Sequence, residues 1–160
     1  MASNRITVDL GGRTSVGQRL IGTFFRGYQR RLEDAIDEGS RIGTGDVLDE
    51  WKREATDLAP MEYGTLRRNI KTEITDRSKT IDGNISASVI ETRNGRRFDY
   101  AAYLHDDYPK QHGESFANPT TSGTIPRFID KPLEDNAEKW ADDIEREIQS
   151  TLRRRGFRGR

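Results

Sequence analysis

IKTEITDRSKTIDGNISASVIETRNGRRFDYAAYL, residues 70–104, is the stretch in which side-chain character alternates with a period of two. Ile70, Thr72 and Ile74 face one way, and Ile81, Gly83, Ile85, Ala87 and Val89 repeat the pattern. Half-buried strands read this way because successive side chains leave a sheet on opposite faces. The polar segment from Asp76 to Thr80 predicts the turn between them. Asn94-Gly95 is a two-residue hairpin signal, leading into Phe98, Tyr100, Ala102 and Leu104. The expectation is three antiparallel strands in a meander, with a fourth short strand around Thr124 to Ile129.

Helical periodicity flanks this region. Ser15 and Gln18 form a capping box at a helix start. Val16, Leu20, Phe24, Tyr28, Leu32 and Ile36 recur every four residues, with Ile21, Phe25 and Ala35 widening the stripe. Gly39 is the natural C-terminal stop, so residues 39–45 read either as a loop or as a weak point in one long helix. Val47, Leu48, Trp51, Ala55 and Leu58 carry a second stripe that Pro60 ends. A last helix begins near Pro132, with Leu133, Ala137, Trp140, Ala141, Ile144, Ile148 and Leu152 on one face, and stops at Gly156. The fold class is therefore α+β: an antiparallel three- to four-stranded sheet packed against long N-terminal helices and a C-terminal amphipathic helix. The reading divides the chain into a flexible arm (1–13), a single domain (14–152) containing a long loop (105–124), and an Arg-rich tail (153–160).

Twenty-seven basic residues balance 27 acidic ones, so no whole-chain field draws the protein to nucleic acid or anionic lipid. Cysteine is absent, which excludes disulfides, thiolate metal sites and a cysteine nucleophile. No apolar run approaches membrane-spanning length and no leader is visible, so the protein is expected to be soluble and made in the cytoplasm. Leu, Ile, Val and Phe make up only a fifth of the residues. A core that thin is expected to complete its burial against other copies.

Three small motifs follow in fixed order: Ala59-Pro60 with Gly64-Thr65-Leu66-Arg67, then Tyr100-Ala101-Ala102-Tyr103-Leu104, then Ile125-Pro126-Arg127-Phe128. Over roughly residues 45–150 this order resembles the tail-completion or neck proteins of tailed phages, the minor capsid and head–tail joining group. In that family the first motif is the hinge from helix to sheet. Gly64 would supply its tight turn and Thr65 would cap a short turn. After Leu104 the chain reads His105-Asp106-Asp107-Tyr108. This matches relatives that continue with His-Glu, and departs from those that continue with a Gly-Thr turn.

The resemblance implies a virion structural protein at the head–tail interface, a ring of identical subunits between connector or head-completion proteins and tail-tube or tail-terminator proteins. The alternative within that class is a tail-terminator or head-completion ring. No enzymatic activity, cofactor, metal or membrane partner is expected. The expected couplers are Ile6, Val8 and Leu10 of the arm, where a neighbour's sheet edge could pair, Tyr100 and Tyr103, and His105, Tyr108 and Phe116 of the loop. Arg153, Arg154 and Arg155 of the tail complete the set, with DNA in a channel as their optional partner.

Rival chemistries rest on little. His105, Asp106, Asp107 and His112 are of metal-binding type, but no second spaced pair accompanies them. They lack a nucleophile or oxyanion donor, so acid–base catalysis is not supported. Gly11-Gly12-Arg13-Thr14 lacks the core of a phosphate loop. The five arginines of residues 153–160 would suit DNA phosphates in a nucleic-acid-binding module, but they equally suit the negative end of the last helix.

Overall fold

Strand β1 (Ala2–Asp9) opens the chain in this computed structural model, which describes residues 1–9, 24–61, 64–77, 80–119 and 121–157, with only the backbone of 9 and 24–26. Helix α1 (Phe24–Leu58) is followed by a short α2 (Thr65–Arg68), then β2 (Ile70–Arg77) and β3 (Thr80–Ala87). A hairpin of β4 (Ile90–Arg93) and β5 (Arg96–Asp99) leads into helical turns α3 (Tyr100–Ala102), a π-helical segment (Tyr103–Asp107) and α4 (Tyr108–His112). Helix α5 (Asp130–Arg154) closes the described chain. The class is α+β, with a three-stranded sheet ordered β1-β3-β2 and a separate two-stranded sheet β4-β5.

Two compact units are built from interleaved stretches, 1–5, 48–73 and 84–137 in the first, and 6–47, 74–83 and 138–160 in the second. In the first, Trp51, Ile70, Ile85, Phe128 and Ile129 are wholly buried. The indole N–H of Trp51 donates to the Ile129 carbonyl at 2.8 Å, which satisfies both polar groups inside the core. In the second, α1 and α5 meet through glycines. A methyl group on Gly39 would lie 2.7 Å from the Ile148 Cα, and one on Gly43 would lie 2.9 Å from the Ile144 Cα. Helix α5 ends as the sequence predicts, at Gly156 with φ +86°. The N–H of Phe157 donates to the Leu152 carbonyl and that of Gly156 to the Arg153 carbonyl, a Schellman cap. The Phe157 ring then stands edge-on to Tyr28, 5.3 Å between centroids.

Several expectations change. Helix α1 runs unbroken through Gly39, Gly43 and Gly45, because the first two glycines are contact points for α5 and not a stop. Its expected start at Ser15, with the capping box, lies outside the described residues. The arm is, over residues 2–9, a strand of the chain's own sheet. Ala2 is buried there, and the Thr7 hydroxyl donates to Asp82 at 2.7 Å. Tyr100–Leu104 is helical, not a third strand of a meander. Residues 124–129 form turns and no strand, and the expected loop is helical as far as His112. Among the described residues the large hydrophobic side chains left exposed are Met1, Tyr28, Ile42, Met61 and Ile90.

Candidate functional site

The helical run from Tyr100 exists because of one carboxylate. Asp99 sits in extended geometry at the helix start, and its Oδ1 accepts from the N–H groups of Ala101 (3.1 Å) and Ala102 (3.3 Å). These are donors that a helix start otherwise leaves orphaned. The same side chain accepts from Ser88 Oγ at 2.9 Å and Val89 N at 3.2 Å. Burial would lift this carboxyl, but the bonds from Ser88, Ala102 and Val89 outweigh it and hold it below the ordinary carboxylate range. The strand therefore ends at Asp99, and the tyrosines after it are carried on helical turns.

The π-helical segment brings Tyr103 and Tyr108 onto one side. Such bulges widen a turn and often mark working surfaces. The Tyr103 ring meets Phe98 at 5.4 Å and Tyr108 edge-on at 6.3 Å, and Tyr108 meets Phe116 at 4.9 Å and His112 at 4.7 Å. The rings of Tyr103, Tyr108 and Phe116 line an open groove of 310 Å³ with Pro60, Tyr100, Leu104, Pro119 and Thr124. Four of the side chains read from the sequence as couplers (Tyr100, Tyr103, Tyr108 and Phe116) thus share one wall.

Two of the three sequence motifs line this groove, and the third is bonded to the end of α1. The first contributes Pro60 to the groove. Its Arg67 donates to the carbonyls of Ala59 (2.9 Å) and Asp57 (3.1 Å), capping the end of α1. Gly64 makes the tight turn at φ +66°, but the Thr65 side chain does not cap α2 as expected, since the capping position falls to Gly64. The second motif contributes Tyr100, Tyr103 and Leu104. The third is tied in by the Ile125 N–H, which donates to the Leu58 carbonyl at 3.0 Å.

A polar pocket of 510 Å³ is lined by His105, Asp106, Asp107, Lys110, Arg127 and Asp130. His105 belongs to the interior, not to an exposed contact surface, being only 4% exposed with its ring edge-on to Phe128 at 5.4 Å. Its Nδ1 lies 2.7 Å from Asp106 Oδ1 and its Nε2 3.6 Å from Asp130 Oδ1. Asp130 also accepts from Asn4 at 2.9 Å and from Arg127 at 3.3 Å. Glu134, then Asp130, raise the Arg127 guanidinium still higher in its basic range. Among the described residues no three His, Cys, Asp or Glu side chains are grouped to hold a metal ion.

The other expected couplers lie elsewhere. Ile6 and Val8 are half-buried in β1, and Leu10 lies outside the described residues. Arg153 and Arg154 form the last turn of α5, not a tail, with Arg154 paired to Glu147 at 2.9 Å and Arg155 to Glu38. Residues 158–160 lie outside the described residues. Sequence reasoning missed Asp99, and it named Arg67 only as part of a motif, without its bonds to the end of α1. The available signal was an acidic residue directly before Tyr-Ala-Ala, since Asp is a favoured helix cap and Ala the best helix former. No helix among the described residues is long and apolar enough to cross a membrane. No family model, curated protein or solved structure matches this chain.

Proposed function

We propose that this chain is a virion structural protein, a neck or tail-completion subunit that joins head and tail of a tailed virus by ring assembly with copies of itself. The observation that carries the reading is an aromatic groove, open to solvent, that two of the three resembling motifs line with Pro60, Tyr100, Tyr103 and Leu104 and that Tyr108 and Phe116 complete. Tyrosine and phenylalanine on a preformed wall suit macromolecular contact, since they bury large area while freezing few rotors. A neighbouring subunit docked there through a different patch of its own would propagate a heterologous interface, which closes as a ring. Connector or head-completion proteins on one side and tail-tube or tail-terminator proteins on the other are the further partners in this reading. A tail-terminator or head-completion ring is its close variant.

The test is genetic and visual. A stop codon at Trp51 in the viral gene should leave DNA-filled heads and free tails unjoined in electron micrographs of lysates. Particles that are intact and infectious without the protein would overturn the proposal. A head–tail joint containing a ring of this chain, seen by cryo-electron microscopy, distinguishes the neck from the terminator position.

A further inference from the structure

Thr92 to Arg97, the tip of the β4–β5 hairpin, is exposed at all six positions and carries three arginines and no acid. Asn94 (φ +51°) and Gly95 (φ +77°) make the two-residue turn that matches strand twist. The base is anchored: the Tyr100 N–H donates to the Val89 carbonyl at 2.8 Å, and Asp99 holds Ser88 and Val89. A short ribbon thus stands out from a fixed foot.

Its charges break a local rule. Arg93 and Arg96 lie directly opposite each other in the ladder, and like charges so placed destabilise a strand pair. Arg93 is drawn aside by Glu91 at 3.3 Å and by the Phe98 ring at 5.2 Å. Arg96 and Arg97 have no carboxylate partner among the described residues, whereas Arg41, Arg127, Arg146, Arg154 and Arg155 each have one. Cross-strand partners share a face and successive residues alternate faces. Arg93 and Arg96 therefore stand on one face of the ribbon, and Arg97, opposite Thr92, on the other.

We infer that the β4–β5 hairpin is an arm that seats in a groove of double-stranded DNA, Arg93 and Arg96 meeting phosphates of one wall and Arg97 those of the other. The two-faced arrangement selects this partner. A flat acidic protein surface would engage one face only, while the major groove admits a two-stranded ribbon and presents phosphates on both sides. The contact is to backbone charge and carries no sequence preference. It stands apart from the assembly role above, since a ring could form without it and the hairpin needs no ring to bind.

The experiment follows fluorescence anisotropy of a labelled random-sequence DNA duplex with the full-length protein over a salt series. Each phosphate contact contributes a slope of about −0.9 in log affinity against log salt, so three contacts predict a loss of about 40-fold between 50 and 200 mM. In R96A/R97A that loss should shrink to about 3-fold, with weaker binding at low salt. R96K/R97K should retain the wild-type slope, which separates charge from any disturbance of the hairpin. R153A/R154A should bind as wild type does. Four results would overturn the inference: no salt-dependent binding at 50 mM, wild-type binding by R96A/R97A, loss confined to R153A/R154A, or competition by polyglutamate as effective as by DNA.

Discussion

Gly39 of α1 and Ile148 of α5 lie so close that the glycine's missing side chain is the contact: a Cβ would stand 2.7 Å from the Ile148 Cα. A backbone atom cannot turn aside as a flexible side-chain end can. Alanine gains about 1 kcal/mol over glycine in a helix interior, while forced overpacking costs about 1–3 kcal/mol. Gly39→Ala and Gly43→Ala are therefore expected to lower stability in urea unfolding. Gly27→Ala, where nothing lies within 4 Å, is expected to raise it. Equal gains at positions 27 and 39 would mean that the helices do not touch there.

Asp99 makes stability depend on acid. Its folded carboxyl lies below the ordinary range, so its contribution is complete above the unfolded value of about 3.9 and fades as pH falls through the folded value. Asp99→Ala should cost about 1–2 kcal/mol at neutral pH, the range for a lost helix cap. The gap from wild type should narrow once thermal melts are run below about pH 4. A gap independent of pH would show that the charge is not what matters.

Asp37 should behave in the opposite sense. Burial first, then the neighbouring Asp76, Asp34 and Glu33, raise its carboxyl, with Arg41 partly offsetting them. A carboxyl raised in the folded state opposes folding while it is ionised, and the penalty vanishes once acid protonates it in both states. Asp37→Asn is expected to increase Tm at pH 7 and to leave it unchanged near pH 3. Added salt should reduce the gain, because the repulsion is screened.

The aromatic groove yields an assembly prediction. Phe116→Ser and Tyr108→Ser remove rings that meet at 4.9 Å on the groove wall. If the proposed ring forms through this groove, size-exclusion with light scattering should report an oligomer for the wild type and a monomer for the variants, while far-UV circular dichroism stays that of the wild type. An unaltered mass would remove the groove from the interface.

Local patterns carried much of the fold. β2, β3 and the Asn94-Gly95 hairpin were legible because period-two alternation and turn chemistry act over a few residues. Tyr100 to Leu104 was misread for an instructive reason. Phe98, Tyr100, Ala102 and Leu104 satisfy an alternating pattern, yet Ala101 and Leu104 are the buried pair, at helical spacing. The Asp99 cap decided between the two periods. Gly39 was beyond local reading, since a stop and a contact glycine look alike until Ile148, more than a hundred residues later, is placed beside it. The tyrosines were recognisable as contact area, but their meeting with Pro60 depends on tertiary structure. His105 likewise reads as exposed until Phe128 covers it.

Because one carboxylate latches the foot of the hairpin and also starts the helical run, neither can fray alone. Deuterium uptake at the amides of Val89, Ala101 and Ala102 should then follow a single opening event. The ribbon and the tyrosine-bearing turns behave as one cooperative piece, so a force applied at the ribbon's tip is felt at the groove.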